Sequence, residues 1–298
     1  MKYRALKNTE LQISEIAFGC MSMDLSRKIN DELIHAAIDG GINYFDTADL
    51  YDQGKNEEAL GQALKGKRSE VIVATKVGNQ LRADGSGWDW NPSKDYILKA
   101  VDQSLKRLQT DYIDIYQLHG GTIEDPISEV IEAFEQLKAE GKIRGYGISS
   151  IRPNVIREYV ANSNIASVMM QYSLLDRRPE EEMLDLLESN KVGVMTRGGL
   201  AKGLLAGKSP EAFLNYKSKE IELLVNEMKK LTDDKTKLSH VALQWILSHS
   251  AVTSAVVGIR TKEQLDQALA YTESTAMERD QLDDLGKVLP PAQYQVHR

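Results

Sequence analysis

Residues 41–61, GINYFDTADLYDQGKNEEALG, decide how this chain is read. Ile42, Tyr44 and Phe45 form a short apolar run that reads as a buried strand, and Asp46 falls where it ends. Tyr51 follows in a polar loop, and Glu57 to Leu64 begins a helix. Strand ends need few polar groups, so a carboxylate there with a tyrosine five residues on is informative. The next two apolar strands end in the same way: VIVATK closes on Lys76 and YIDIYQLH on His119. In a (β/α)8 barrel the loops after the strands build the active-site face. Asp46, Tyr51, Lys76 and His119 therefore form one convergent candidate set.

The rest of the chain continues the alternation. Tyr3–Leu6 and Leu11–Ile13 flank a polar turn and predict a small hairpin, and Ile16–Phe18 predicts a first barrel strand. Leu33, Ala36 and Ala37 have helical spacing before Gly40-Gly41. Residues 77–91 read as a long loop carrying Trp88 and Trp90, with Ser93 capping the helix after it. Asp125-Pro126 reads as a cap and a first-turn proline, ahead of a helix that Gly141 ends. Later strands are expected at 145–149, 167–172, 192–196 and 254–257, followed by helices around Val155, Leu184, Val241 and Leu265. Eight strand–helix pairs predict one domain over 1–298, an α/β (β/α)8 (TIM) barrel with an N-terminal β-hairpin. An open doubly wound sheet would want a G-x-G-x-x-G turn, and the sequence has none. AGKS at 206–209 imitates the end of a phosphate loop, but Lys202 occupies the position of its first glycine.

Composition narrows the function classes. A formal net charge of −7, with both signs mixed along 298 residues, argues against nucleic acid as a partner. No apolar stretch is long enough to span a bilayer and the start lacks a signal-peptide core, so a cytoplasmic protein with no membrane partner is expected. Cys20 is the only cysteine, which leaves no intrachain disulfide and no thiolate metal cluster. His35, His240, His249 and His297 show no metal-ligand spacing, so no metal is expected. The run Glu180-Glu181-Glu182 reads as a solvated helix start.

DTADLY, NEEALG, ATK and QLH, in that order, resemble the aldo-keto reductase family, particularly its bacterial members, and the resemblance runs over the whole chain. It implies an NADPH-dependent reduction of a small carbonyl substrate, with NADP(H) extended across the barrel mouth and the hairpin capping the barrel bottom. The catalytic set it implies is Asp46, Tyr51, Lys76 and His119. The cofactor set it implies begins with Gly19, Cys20 and Met21, with Asp46 again, and Ser149 for the carboxamide. The usual glutamine position falls on Met169, with Gln171 two residues later on the same side of the strand. Arg197 stands where many members stack an aromatic ring on the nicotinamide; a guanidinium can stack there too. Gly203 and Leu205 match the pyrophosphate loop. Gly258, Arg260 and Gln264 match the segment gripping the 2′-phosphate and adenine, although Ala268 replaces a frequent asparagine. A monomer or weak homo-oligomer is expected.

The chemistry follows from the residue types. A free tyrosine has a pKa of about 10, high for proton transfer near neutrality. An ammonium at about 4 Å would stabilise the phenolate by ~4 kcal/mol at an effective dielectric near 20, a drop of roughly three units. Lys76 supplies that charge, Asp46 holds it, and His119 orients the carbonyl oxygen beside Tyr51. No side chain can deliver hydride, so a nicotinamide must. Two other readings stand beside this one. One is an NADP(H)-sensing subunit with little turnover, the other a barrel lyase or isomerase forming a Schiff base on Lys76.

Overall fold

The computed structural model describes residues 1–25 and 30–298. The chain opens with an antiparallel hairpin, β1 (Tyr3–Ala5) and β2 (Gln12–Ser14). Then come β3 (Ile16–Gly19), α1 (Asn30–Asp39), β4 (Tyr44–Asp46), α2 (Lys55–Ala63) and β5 (Ile72–Val77). A second hairpin, β6 (Asn79–Leu81) and β7 (Trp88–Trp90), precedes α3 (Lys94–Leu108), β8 (Ile113–Leu118) and α4 (Ile127–Ala139). The chain continues through β9 (Ile143–Ser149), α5 (Pro153–Asn162), β10 (Ser167–Gln171), α6 (Met183–Ser189) and β11 (Gly193–Arg197). It ends with α7 (Ser218–Lys229), α8 (Leu238–Leu247), β12 (Val252–Gly258), α9 (Lys262–Ala270) and α10 (Arg279–Lys287).

Strands β3, β4, β5, β8, β9, β10, β11 and β12 pair in parallel in chain order, and β12 returns to β3 to close the barrel. Both faces of such strands must be covered, which is why β5 and β8 are buried at every residue. The larger core cluster joins strand residues such as Val73 and Ile148 to helix residues such as Ile97 of α3 and Phe134 of α4. A separate inner cluster holds Tyr44, Ile72, Ala74, Ile115, Met169 and Met195, joined from below by Leu6 and Ile13 of the first hairpin. The hairpin thus plugs one end and leaves the other for the site.

The structure differs from the sequence reading at four places. The long loop after Lys76 is largely β6–β7, where Arg82 pairs with Asp89 across the hairpin. Ser93 does cap α3, accepting from the Tyr96 N–H at 3.4 Å, but Asp125 does not cap α4. Its carboxylate instead accepts from the Thr122 N–H at 2.7 Å and from the Trp90 indole at 2.9 Å, which leaves Pro126 at the cap position. Helices α7 and α10 are additional to the eight expected pairs. The run Glu180–Glu182 lies in ion pairs: Glu180 with Arg177, Glu181 with Arg298, Glu182 with Arg157.

Candidate active site

Strand register brings the candidate residues together. Asp46 is the last residue of β4, opposite Ala74 of β5, so Lys76 reaches the same level two residues on. Lys76 in turn faces Gln117 of β8, and His119 follows one step above that strand. Tyr51 comes from the loop after β4, turned inward by a short 3-10 segment, Tyr51–Gly54. Within it Asp52 and Gln53 adopt left-handed backbone (φ 48° and 56°) before Gly54. Such residues are held only where the surroundings fix them.

Lys76 is 1% exposed, and its ammonium has three partners. Nζ donates to Asp46 Oδ1 at 2.6 Å and the Thr47 carbonyl at 2.7 Å, and lies 3.3 Å from the Tyr51 hydroxyl. Burial alone would strip its proton; the Asp46 carboxylate and then Tyr51 more than offset this, so its pKa lies above the ordinary lysine value. A charged Lys76 is a poor Schiff-base nucleophile. The shell behind it is tied down. Thr75 donates to buried Glu57 at 2.5 Å, Arg107 pairs with the other Glu57 oxygen at 2.7 Å, and Thr47 donates to Asn56 at 2.7 Å.

The phenol behaves differently from the sequence expectation. Burial pushes the Tyr51 hydroxyl above its ordinary range, and the nearby Lys76 ammonium only partly reverses that. The charge is in place, but so is a desolvation that the sequence does not display. Tyr51 is therefore protonated across the neutral range, the state a proton donor needs. His119 stands edge-on to Tyr51, ring centroids 5.8 Å apart at 84°, with Nδ1 buried and unbonded among the described residues. Burial, then Lys76 and Arg197, hold its pKa down to about 3, so the imidazole is neutral.

Tyr51 and His119 open into a cleft of about 1030 Å³, lined also by Met21, Trp88, Trp90, Ser149, Arg197 and residues 292–297 of the tail. Both tryptophans thus line this cleft, Trp90 while also anchoring its loop. The expected cofactor residues are spread along consecutive strand ends. Ser149 faces Met169 across β9–β10, and Gln171 faces Arg197 across β10–β11. Gln171 is held by Arg178 at 3.4 Å. The Arg197 carbonyl accepts from the Tyr172 N–H at 3.3 Å, but its guanidinium makes no ion pair or hydrogen bond among the described residues, and burial lowers its pKa. Beyond β12, Thr261 caps α9 and Gln264 accepts from the Arg260 N–H at 2.9 Å, leaving an exposed guanidinium beside a helix N-terminus. At Gly258 a Cβ would sit 2.3 Å from Ser22 Oγ, so a side chain there would have to displace Ser22. An arginine fork beside a helix N-terminus, linked by polar strand ends to the tetrad, is a donor set that suits an extended dinucleotide phosphate.

Three expected contacts look different in place. Cys20 is fully buried, burial raises its thiol pKa, and its carbonyl accepts from Asn56 at 2.9 Å. Leu205 is likewise buried in the core. The N–H groups of Gly203 and Leu205 both donate to the Leu200 carbonyl, so neither is free for a pyrophosphate. The tail, 290–298, which the sequence reading names with residues 77–91 and the loop after Gly120 as shaping the substrate site, does form a wall of the cleft. Within it the Tyr294 N–H donates to Glu181 at 3.1 Å, more than a hundred residues away in sequence.

A parallel eight-stranded barrel with a buried lysine–aspartate pair against a tyrosine at its mouth defines the class, and comparison confirms it. The sequence pattern of the Aldo/keto reductase family matches residues 15–289, and the chain belongs to that family. Membership makes it an oxidoreductase of the aldo-keto reductase type. Among relatives, "Uncharacterized oxidoreductase YqkF" of Bacillus subtilis is 46% identical and is covered over 100% of both chains. The holo form of aldo-keto reductase AKR11C1 from Bacillus halodurans superposes with a TM-score of 0.94 at 48% identity, over 100% of this chain and 99% of that one. The NADH-specific methylglyoxal reductase of Escherichia coli is 31% identical over 91% of this chain and 93% of its own.

Proposed function

We propose that this protein reduces aldehydes or ketones to alcohols using NADPH, with Tyr51 as the proton donor. The observation that carries the reading is the Lys76 ammonium 3.3 Å from the Tyr51 hydroxyl and 2.6 Å from Asp46, beneath a cleft large enough for a small molecule. A carbonyl oxygen seated between Tyr51 and His119 would meet two neutral polar groups. As negative charge builds on that oxygen, Tyr51 gives its proton and the resulting phenolate is held by Lys76. Asp46 keeps the ammonium charged and fixed. Bound NADPH would supply the hydride to the carbonyl carbon. The alkoxide being formed is far more basic than a phenolate, so proton transfer from Tyr51 stays downhill in the reduction even with a raised phenol pKa; the larger cost of that shift falls on alcohol oxidation, which needs Tyr51 deprotonated.

Relatives differ in dinucleotide, one being an NADH-specific reductase and another a Klebsiella pneumoniae structure with NADP and acetate at 25% identity. The preference therefore has to come from this chain's own residues, and the exposed Arg260 fork supports NADPH. Ser149, Gln171 and Arg197 are proposed for the nicotinamide end, and Gly258, Arg260 and Gln264 for the adenosine end. A panel of aldehydes and ketones, assayed with NADPH and NADH side by side, tests the reading. Tyr51→Phe should lower kcat by about 10²–10⁴-fold while NADPH binding persists. Tight NADPH binding with no turnover of any carbonyl would favour a cofactor-sensing subunit instead.

A further inference from the structure

The cleft has a charge of its own. The chain carries 44 acidic and 37 basic residues, yet the charged side chains lining the cleft are Arg152, Arg178 and Arg197, with no carboxylate among the described lining residues. The three arginines are not equivalent. Arg178 is neutralised by Asp176, with two contacts at 2.7 Å. Arg197 ends β11 beside Gln171, on the side proposed for the nicotinamide. Arg152 follows β9 at the start of α5, and its Nη1 donates to the carbonyl of Gly121. It has no ion pair among the described residues, so the remaining donors of its guanidinium have no anion of the protein to meet.

Its position matters more than its charge. Gly121 lies two residues beyond His119, a chain span of at most about 7 Å, so Arg152 borders the place where the carbonyl would sit. It is also remote from the phosphate-gripping segment, with β10 and β11 lying between β9 and β12 in the ring. The same cleft carries apolar lining residues, among them Trp88, Trp90, Leu50 and Ile151. An apolar slot with a proton donor at one end and an unpaired guanidinium nearby is complementary to a molecule bearing both a carbonyl and an anion.

We propose that Arg152 is a specificity-determining anion anchor and that the preferred substrates are carbonyl compounds carrying a carboxylate. This rests on the reductase reading above and extends it to a substrate class. The test uses the full-length protein with NADPH and compares 2-, 3- and 4-carboxybenzaldehyde with their neutral methyl esters, which removes the charge and keeps the reacting ring. At least one acid should exceed its ester in kcat/KM by about tenfold or more, the range of a charge-assisted contact. Arg152→Gln should bring that ratio close to one, and Arg152→Lys should keep part of it. Because the quantity read is a ratio, a change in folded fraction or in cofactor affinity cancels. If Arg152→Gln does not fold, the wild-type ratios and competitive inhibition by benzoate decide alone. Turnover of the esters with no acid preferred, or a preference that survives in Arg152→Gln, overturns the anchor and leaves the reductase reading intact. No turnover of any acid or ester overturns both.

Discussion

Replacing Lys76 by methionine separates what the lysine does for the fold from what it does for the reaction. The ammonium is 1% exposed and sits 2.6 Å from Asp46 and 3.3 Å from the Tyr51 hydroxyl. Its removal leaves Asp46 as an uncompensated buried charge, which costs about 3–5 kcal/mol. At roughly 2 cal/mol/K per residue over 298 residues, that lowers Tm by about 5–8 °C. The chemical effect is larger. At 3.3 Å and an effective dielectric near 20, Lys76 stabilises a phenolate by about 5 kcal/mol, so both directions of the reaction should slow by at least about 100-fold. The double variant Asp46→Asn/Lys76→Met restores a neutral interior and should recover much of the lost Tm, while reductase activity stays absent. Thermal unfolding and NADPH oxidation with one aldehyde, measured on all four proteins of the cycle, give the answer. Turnover of Lys76→Met within tenfold of wild type would refute the assignment, as would recovery of activity in the double variant.

Other outcomes are as specific. Arg260→Ala should weaken NADPH by about tenfold and barely move NADH, read by fluorescence titration; equal losses would mean the 2′-phosphate is held elsewhere. The buried neutral His119, with its pKa near 3 against 6.5 when free, makes the folded state bind fewer protons than the unfolded one as pH falls. Its contribution is fully present above pH 6.5 and declines by up to about 1.4 kcal/mol per unit between there and pH 3. Denaturant titrations of wild type and His119→Asn should therefore differ in slope below pH 6, and parallel curves would contradict the neutral imidazole. Glu181→Gln should loosen the tail by about 1 kcal/mol, because Glu181 holds both the Tyr294 N–H and Arg298. Amide exchange around residues 292–297 should then rise roughly fivefold, and an unchanged rate would show the tail is held by other contacts.

Much of the barrel was legible because its strands are continuous apolar runs closed by punctuating residues. Lys76 and His119 stood out for the same reason, as polar groups at the ends of runs that are otherwise buried. The second hairpin was missed although Asp84-Gly85-Ser86-Gly87 sits between Asn79–Leu81 and Trp88–Trp90, because three-residue strands leave too little alternation to read. Helix α10 was hidden by its own polarity, since only Leu282 and Leu285 are buried along it. The acidic run at 180–182 looked solvated because its partners, Arg157, Arg177 and Arg298, include one from the far end of the chain. The phenol failed for a different reason. The distance from Lys76 was close to the one expected, but the sign of the balance depends on how much water reaches Tyr51, and only packing sets that.

The first hairpin has a consequence for how the protein is recharged between turnovers. Leu6 and Ile13 stopper the barrel floor beneath Tyr44, whose hydroxyl is itself too deeply buried to ionise. With that end filled by apolar side chains, a replacement hydrogen ion for Tyr51 in the proposed reaction would come down the doorway through which alcohol departs. In the proposed reaction, exit of the alcohol and rearming of the acid would thus share one passage, whose wall includes residues 292–297.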